Sequence, residues 1–374
     1  MNHLLETIIA IRKEKDFPID TTNRNRYRIV VNEQNGTKTA YYFSAPIYNA
    51  NNRKLLDLKF TDDIIPQLIG SNSQISFSEH IKMSNTHGNL FLPLKEKVLR
   101  ISDTELHEGE NIILPTTNGF IYKLPIKDFS SKPLRIKTDR IFTETRANNK
   151  YFALMKEKFT PFCYICAIGI EDENGTISSP FTIMNRKISG YEYEISSATP
   201  ITTGKYFVFE INLYEKKLIQ DTTVESANPN VNNAFGSCAY IGTTAEFGEQ
   251  WLYSKIDTIH LSELAGRRIN SATAYIYKLS NNIFDIDTFK VSERFCSFGS
   301  NWENKKTESN FLNRSCCTEG YIVIDITNSL IHEKHKQIIA TNGFILKPTK
   351  KNDFVAITTG DSCFLPQIIA INYH

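Results

Sequence analysis

A chain of 374 residues is long enough for two domains of ordinary size, and 41% hydrophobic with 22% charged residues fits a globular protein rather than a disordered one. A formal net charge of +2, with only short basic clusters such as residues 24–28 and 347–351, points away from nucleic acid as a partner. Aromatic residues, 24 Phe and 17 Tyr against 2 Trp, favour strands over helices.

Residues 1–16 place Leu4, Leu5, Ile8 and Ile11 at helical spacing, which predicts a short amphipathic helix ended by Phe17-Pro18. The segment lacks the basic head, long apolar stretch and small-residue cleavage site of a secretory signal, so synthesis in the cytoplasm is expected. Its apolar stripe would then be an assembly handle for a partner. The longest apolar run, residues 159–170, is too short and too interrupted to span a bilayer.

From about residue 25 to 214 the chain is a succession of short alternating or aromatic-rich segments broken by turn residues, the pattern of antiparallel sheets. Strands are predicted at 27–31, 39–43, 119–124, 182–188, 191–195 and 206–213. Asn35-Gly36 and Asn174-Gly175 tolerate positive φ and suit two-residue hairpin turns. Cys163-Tyr164-Ile165-Cys166 is a lone C-x-x-C in a strand-like run, where positions three apart face opposite sides, so neither zinc nor redox chemistry is expected of it. The seven cysteines are odd in number and irregularly spaced, which fits reduced residues better than a disulfide framework. Cys296 has Cys316 or Cys317 as a partner only if the loop around Trp302 folds back in an oxidising environment.

A charged strip at residues 215–220 marks the expected boundary, giving an N-terminal β-sandwich region (1–216) and a C-terminal module (217–374). In that module Gln250 to Asp257 alternates, with Leu252, Ser254 and Ile256 on one face and Trp251, Tyr253 and Lys255 on the other. Ser271 to Tyr277 repeats the logic, with Ala272, Ala274 and Ile276 expected inward and Thr273, Tyr275 and Tyr277 outward. Residues 321–327, 343–346 and 354–358 supply three further strands. The fold class expected is all-β: two β-sandwich domains behind a short N-terminal helix.

Landmarks in the second half fall in a recognisable order: Asp221, Asn228-Pro229, Ile241-Gly242, Ile256-Asp257, Ile269-Asn270-Ser271-Ala272, Trp302, Asp325-Ile326-Thr327, Asn342-Gly343, and Pro366 through Tyr373. Together they resemble the DNRLRE-type jelly-roll domains of bacterial surface proteins, carbohydrate-binding modules and phage structural proteins. The resemblance covers only this C-terminal part and implies a jelly roll that binds or builds. It departs from the family near Gln250 and Trp251, where a basic residue is usual, and in keeping only Trp302 of a Trp-rich middle.

A jelly roll that binds sugar uses exposed rings to stack on pyranose faces, flanked by polar groups for the hydroxyls. Trp251, Tyr253, Lys255, Tyr275 and Tyr277 have the right types and form the candidate glycan face; the competing reading is that these rings cover an interface. Cofactors are not expected, apart from a structural calcium ion fed by Glu171-Asp172-Glu173 or Asp285-Ile286-Asp287. His332-Glu333-Lys334-His335 lacks metalloprotease spacing, and His80, His87, His107 and His260 show no acidic or thiol partner. No nucleophile elbow, phosphate-binding loop or dinucleotide turn is present, so no enzymatic activity is expected.

These features lead to the expectation of a structural and adhesive component of a phage or phage-tail-like particle, displayed at the particle surface. It would bind surface glycan or neighbouring subunits as a homo-oligomer or part of a larger assembly, with no nucleic acid and no membrane span. The alternatives are a carbohydrate-binding module attached to a polysaccharide-active protein, or a spore or cell-surface layer protein.

Overall fold

A computed structural model describes residues 20, 22–23, 25–48, 56, 58–213, 217–317, 320–331, 338 and 341–374. The predicted helix with Leu4, Leu5, Ile8 and Ile11, and the His332 to His335 segment, lie outside the described residues. What is described is all-β and antiparallel, arranged as sandwiches. Among the described residues, 56–213 form one compact unit, and 20–48 together with 217–374 form a second.

In the first unit a nine-stranded and an eight-stranded sheet enclose one core. Its strands alternate as their sequences require. In Gly88–Pro93, for example, Leu90 and Leu92 point inward while Asn89 and Phe91 are half-buried. The helix Ile126–Ser131 places Phe129 against Phe207 and Phe209, with ring centroids 4.7 and 5.2 Å away. Cys163 lies in this core and Cys166 on the opposite face of the strand Thr160–Glu171, as positions three apart must. Burial pushes the Cys163 thiol up to about 12, far from a reactive thiolate.

In the second unit a five-stranded sheet runs in the order Arg28–Asn32, Lys38–Phe43, Ile368–Tyr373, Ile269–Tyr277, Tyr321–Asp325. A seven-stranded sheet faces it, built from Ile219–Glu225, Cys238–Thr244, Gly248–Ile256, Phe284–Val291, Glu308–Cys317, Phe344–Pro348 and Phe354–Thr358. The chain changes sheet between Ile269–Tyr277 and Phe284–Val291, returns at Tyr321–Asp325, and crosses again on either side of Phe344–Thr358, as a jelly roll does. Leu252 and Ile256 from one sheet meet the core formed with Ala272, Ala274 and Ile276 from the other, so the inward faces are the expected ones.

Two expectations need correction. Residues 28–43 were assigned to the N-terminal region, yet they complete the second unit's sheet, with Lys38–Phe43 pairing Ile368–Tyr373 from Lys38↔Tyr373 to Phe43↔Ile368. The physical reason lies in the final strand: five of its six residues are buried, so its backbone groups need ladder partners on both edges, and Ile269–Tyr277 supplies only one. The hairpin turns also differ. Glu33 and Asp172 each bond across a three-residue loop to Thr37 and Thr176, with Gly36 (φ 79°) and Gly175 (φ 80°) left-handed at the loop ends. The side chains of Asn35 and Asp172 accept from the following threonines and close the loops, which a two-residue turn would not allow.

Candidate functional site

The second unit's sandwich has two outer faces, and the five residues expected to form one glycan face are divided between them. Trp251, Tyr253 and Lys255 lie on the outer face of the seven-stranded sheet, and Tyr275 and Tyr277 on the outer face of the five-stranded sheet. The core lies between, so these residues do not make one surface.

On the seven-stranded side the outward direction is as predicted but the exposure is not. Tyr253 is 0% and Lys255 7% exposed. The connection at residues 292–307 folds over this face and is held there by its backbone carbonyls. The Tyr253 hydroxyl donates to the Lys306 carbonyl at 2.5 Å, and Lys255 Nζ donates to the Phe295 carbonyl at 2.9 Å. From the far side, Asn232 Nδ2 donates to the carbonyls of Ser297 and Ser300, both at 2.7 Å. Val224, Tyr253, Val291, Phe295 and Ile345 form a small second core beneath the loop. Burial lowers the Lys255 ammonium pKa, and Arg294 adds to the effect.

Trp302 sits at the rim of this cover, its ring centroid 4.8 Å from that of Trp251. Lys347 Nζ stands 3.7 Å above the Trp251 ring and Lys305 Nζ 4.1 Å above Trp302. Glu308 accepts from Lys347 at 2.7 Å; although burial works against its charge, that bond holds its carboxyl below the usual range. The ring faces a sugar would stack on therefore already carry ammonium groups, which contribute about 0.5–2 kcal/mol each as cation–π contacts. Trp251, Tyr253 and Lys255 act here as the seat of a loop.

The five-stranded side is different. Three cross-strand rows define it: Thr39, Asn372 and Ser271; Tyr41, Ala370 and Thr273; Phe43, Ile368 and Tyr275. Ala370 is the small member of its row, so the sheet surface dips between Tyr41 and Thr273. The result is a groove of about 370 Å³ whose lining includes Glu33, Asn35, Asn372 and Tyr275. Tyr275 is half-buried at its edge, and across the strand Val323 is exposed on the same face. Tyr277 packs edge-on to Tyr321 at 5.2 Å, further along the same strand pair.

Polar groups in the groove are tied into one chain. Asn270 Nδ2 donates to Asn372 Oδ1 at 2.7 Å. Asn372 Nδ2 donates to the hydroxyls of Thr37 and Thr39 at 3.0 and 2.9 Å. Thr39 donates onward to Glu33 Oε1 at 2.6 Å, and Thr37 to Asn35 Oδ1 at 2.7 Å. Among the described residues, Tyr275 is the one predicted site residue that lines the groove. Glu33, Asn35, Thr37, Thr39 and Tyr41 were missed because the hairpin carrying them is separated from its sheet partner by more than 300 residues. The available signal was the final strand, too apolar for an open edge.

Several landmarks of the family resemblance serve the fold. Asp257 caps the 3-10 helix Thr258–Leu264 by accepting from Ile259 N, and Asp325 accepts from both the amide and the hydroxyl of Thr327. Gly343 (φ 90°) leaves no room for a Cβ, which would fall 2.4 Å from the Ser254 carbonyl oxygen. Asp221 is buried, accepts from the Gly360 amide, and lies near the ion pair of Lys217 with Asp361. Burial pushes its carboxyl up to about 6, against the pull of Lys217 and of that amide.

The remaining candidates are spent structurally. Asp172 closes its hairpin, Glu171 pairs with Lys123 at 2.6 Å, and Asp287 takes a two-pronged contact from Arg314 at 2.7 and 3.0 Å. Among the described residues no three His, Cys, Asp or Glu converge as a metal site. His107, expected to lack an acidic partner, lies 2.6 Å from Glu105 two residues earlier on its strand. None of the seven cysteines is in a disulfide; Cys296 and Cys316 are exposed, while Cys317 is buried with its thiol raised to about 12. Among the described residues no helix is long and apolar enough to cross a membrane.

No family model matches the chain, and no curated protein matches it. Among solved structures, an exo-beta-1,3-galactanase from Phanerochaete chrysosporium with galactose is similar at 8% identity, covering 95% of this chain and 84% of that one, with a TM-score of 0.10. Likeness at that level bears on neither fold nor ligand.

Proposed function

We propose that the chain is a non-enzymatic structural and adhesive component of a phage or phage-tail-like particle, with a DNRLRE-like jelly roll that holds surface glycan. The observation that carries the glycan arm is the groove on the five-stranded sheet. It is concave and lined mainly by hydroxyl, amide and carboxylate groups, with the half-buried Tyr275 ring at its edge. That mixture suits a ligand with an apolar ring face and a polar rim, which describes a pyranose.

The subunit-joining arm is supported by the first unit. Val98–Ser102 is the edge strand of the nine-stranded sheet, and its Leu99 and Ile101 are 53% and 59% exposed. An ion pair between Arg100 and Asp62 ties this strand to the turn that carries Ile64, itself 97% exposed. An open edge with aliphatic side chains beside it is a surface for pairing with another subunit.

Retention of the full chain on a panel of immobilised bacterial surface glycans tests the first arm. At least one glycan should be held, and Tyr275→Ala should weaken that binding by about tenfold without unfolding the protein, the scale expected for one stacked ring. A full chain that holds none sinks the glycan reading. Light scattering tests the second arm: Leu99→Glu with Ile101→Glu should lower the particle mass, and a monomer before and after substitution would remove it.

A further inference from the structure

We infer that the second unit forms a covalent crosslink within itself, an amide between the side chains of Lys217 and Asp361, with Asp221 carrying protons during its formation. The crosslink lies in the interior of the sandwich and does not depend on what the groove binds. Three observations support it. The first is contact. Lys217 Nζ pairs with Asp361 Oδ1, although one residue stands just before the strand Ile219–Glu225 and the other in the connection between Phe354–Thr358 and Ile368–Tyr373. A nitrogen that becomes nucleophilic on losing a proton is thus held against a carboxyl carbon, and a bimolecular encounter is replaced by an intramolecular one. The second is burial. Asp361 is 2% and Asp221 4% exposed, and the Lys217 side chain 14%. Opposite charges taken out of water bear a desolvation cost that their attraction does not always offset, and an amide in their place carries neither charge.

The third observation is the neighbouring acid. Asp221 follows Ile219 by two residues in the strand and so shares its core-facing side. Its carboxyl accepts from the amide of Gly360, the residue before Asp361. A Cβ on Gly360 would lie 2.8 Å from Asp221 Oδ2, so glycine there lets Asp221 come close to the connection that carries Asp361. Thr359 pins that connection: its hydroxyl donates to the Gly236 carbonyl at 2.5 Å and accepts from the Asp361 amide at 3.1 Å. Burial places the Asp221 carboxyl at about 6, where it takes up and releases a proton near neutral pH, as a proton carrier must. The step balances without a co-reactant. A proton passes from the Lys217 ammonium to the Asp361 carboxylate, leaving an amine and a carboxylic acid. The amine lone pair attacks Asp361 Cγ and the C–N bond forms. Asp221 takes the surplus proton from nitrogen and delivers it to the departing hydroxyl, so the Cγ–O bond breaks and one water leaves. Nothing is oxidised or reduced.

Intact mass of the full chain, reduced and denatured, followed by protease mapping, tests the bond. The chain should weigh one water, about 18 Da, less than its sequence, and one fragment should join the Lys217 and Asp361 peptides. Lys217→Arg and Asp361→Ala should each restore the mass of their own sequence and remove the joined fragment. A folded Asp221→Asn, assayed soon after folding, should hold under about a tenth of the joined fragment found in the unsubstituted chain, a loss that a purely structural aspartate would not cause. An unsubstituted chain without the joined fragment overturns the inference whatever the variants do, and water lost without that fragment marks an imide at an aspartate instead and overturns it equally. A joined fragment present in full in folded Asp221→Asn overturns the part given to Asp221. Ring closure adds stability of its own, so the effect of Asp221→Asn on unfolding is read in a Lys217→Arg background, which keeps the cation and cannot condense.

Discussion

The two outer faces of the second unit begin from the same pattern, an alternating strand with aromatic side chains turned away from the core, and reach opposite ends. On the seven-stranded sheet residues 292–307 lie over Tyr253 and Lys255 and turn an outward row into a second core. On the five-stranded sheet the row of Ser271, Thr273 and Tyr275 faces an open groove. Both sheets obey alternation, so the difference comes from what the rest of the chain lays over each one. Period-two patterning decides which side of a sheet a residue takes, and long-range connections decide whether that side is wet.

The comparison breaks most visibly if the covered face is not packed. Tyr253→Ala removes a fully buried ring and its hydroxyl contact and should cost about 3–5 kcal/mol in urea unfolding, the usual range for emptying a large aromatic site. A loss below about 1 kcal/mol would mean that the loop does not seal the face.

Next in size is an effect of opposite sign from the interior that both faces share. The Asp221 carboxyl, raised by burial to about 6, binds a proton in the native state at pH values where the unfolded chain, with a pKa of about 3.9, has already released it. Stability therefore falls as pH rises from about 4 to about 6 and stays reduced above that window. Asp221→Asn should raise stability by roughly 1–3 kcal/mol at pH 7.5 and flatten the dependence between those values. Thermal unfolding across the pH series reads both, and a variant less stable at pH 7.5 would show that the pairing with Lys217 outweighs the burial cost.

How much of this was legible beforehand follows from the range of each interaction. Strand periods, inward faces such as Leu252 with Ile256 or Ala272 with Ala274, and the opposed Cys163 and Cys166 are local consequences of two-residue alternation, and they read directly. The cover over Tyr253 did not, because its anchors are backbone carbonyls of Phe295 and Lys306, which no side-chain pattern announces. The groove was half legible. Tyr275 was visible as an outward ring, whereas Glu33 and Thr39 reach it only through a pairing between the second and last strands of the unit. Asp172 and Asp257 were visible as acidic residues, but their use in turns and caps depends on backbone amides that the fold alone positions.

A finer cut through the covered face separates its packing from its hydrogen bond. Tyr253→Phe keeps the ring in place and leaves the Lys306 carbonyl without its donor, so a cost of about 1 kcal/mol is expected, well below that of the alanine variant. A difference of similar size for both variants would assign the anchoring to the hydroxyl rather than to the ring.

The smallest expected change belongs to the open face. Tyr275→Ala trims a half-buried side chain beside the exposed Val323, whereas Tyr253 is fully buried, so unfolding free energy should move by less than about 1 kcal/mol. The same substitution should cost glycan binding about tenfold, so stability and binding part company at this position, whereas at Tyr253 stability is what fails. A Tyr275→Ala protein destabilised as much as Tyr253→Ala would mean that the ring is a packing element of the sandwich, and the contrast between an open and a covered face would not hold.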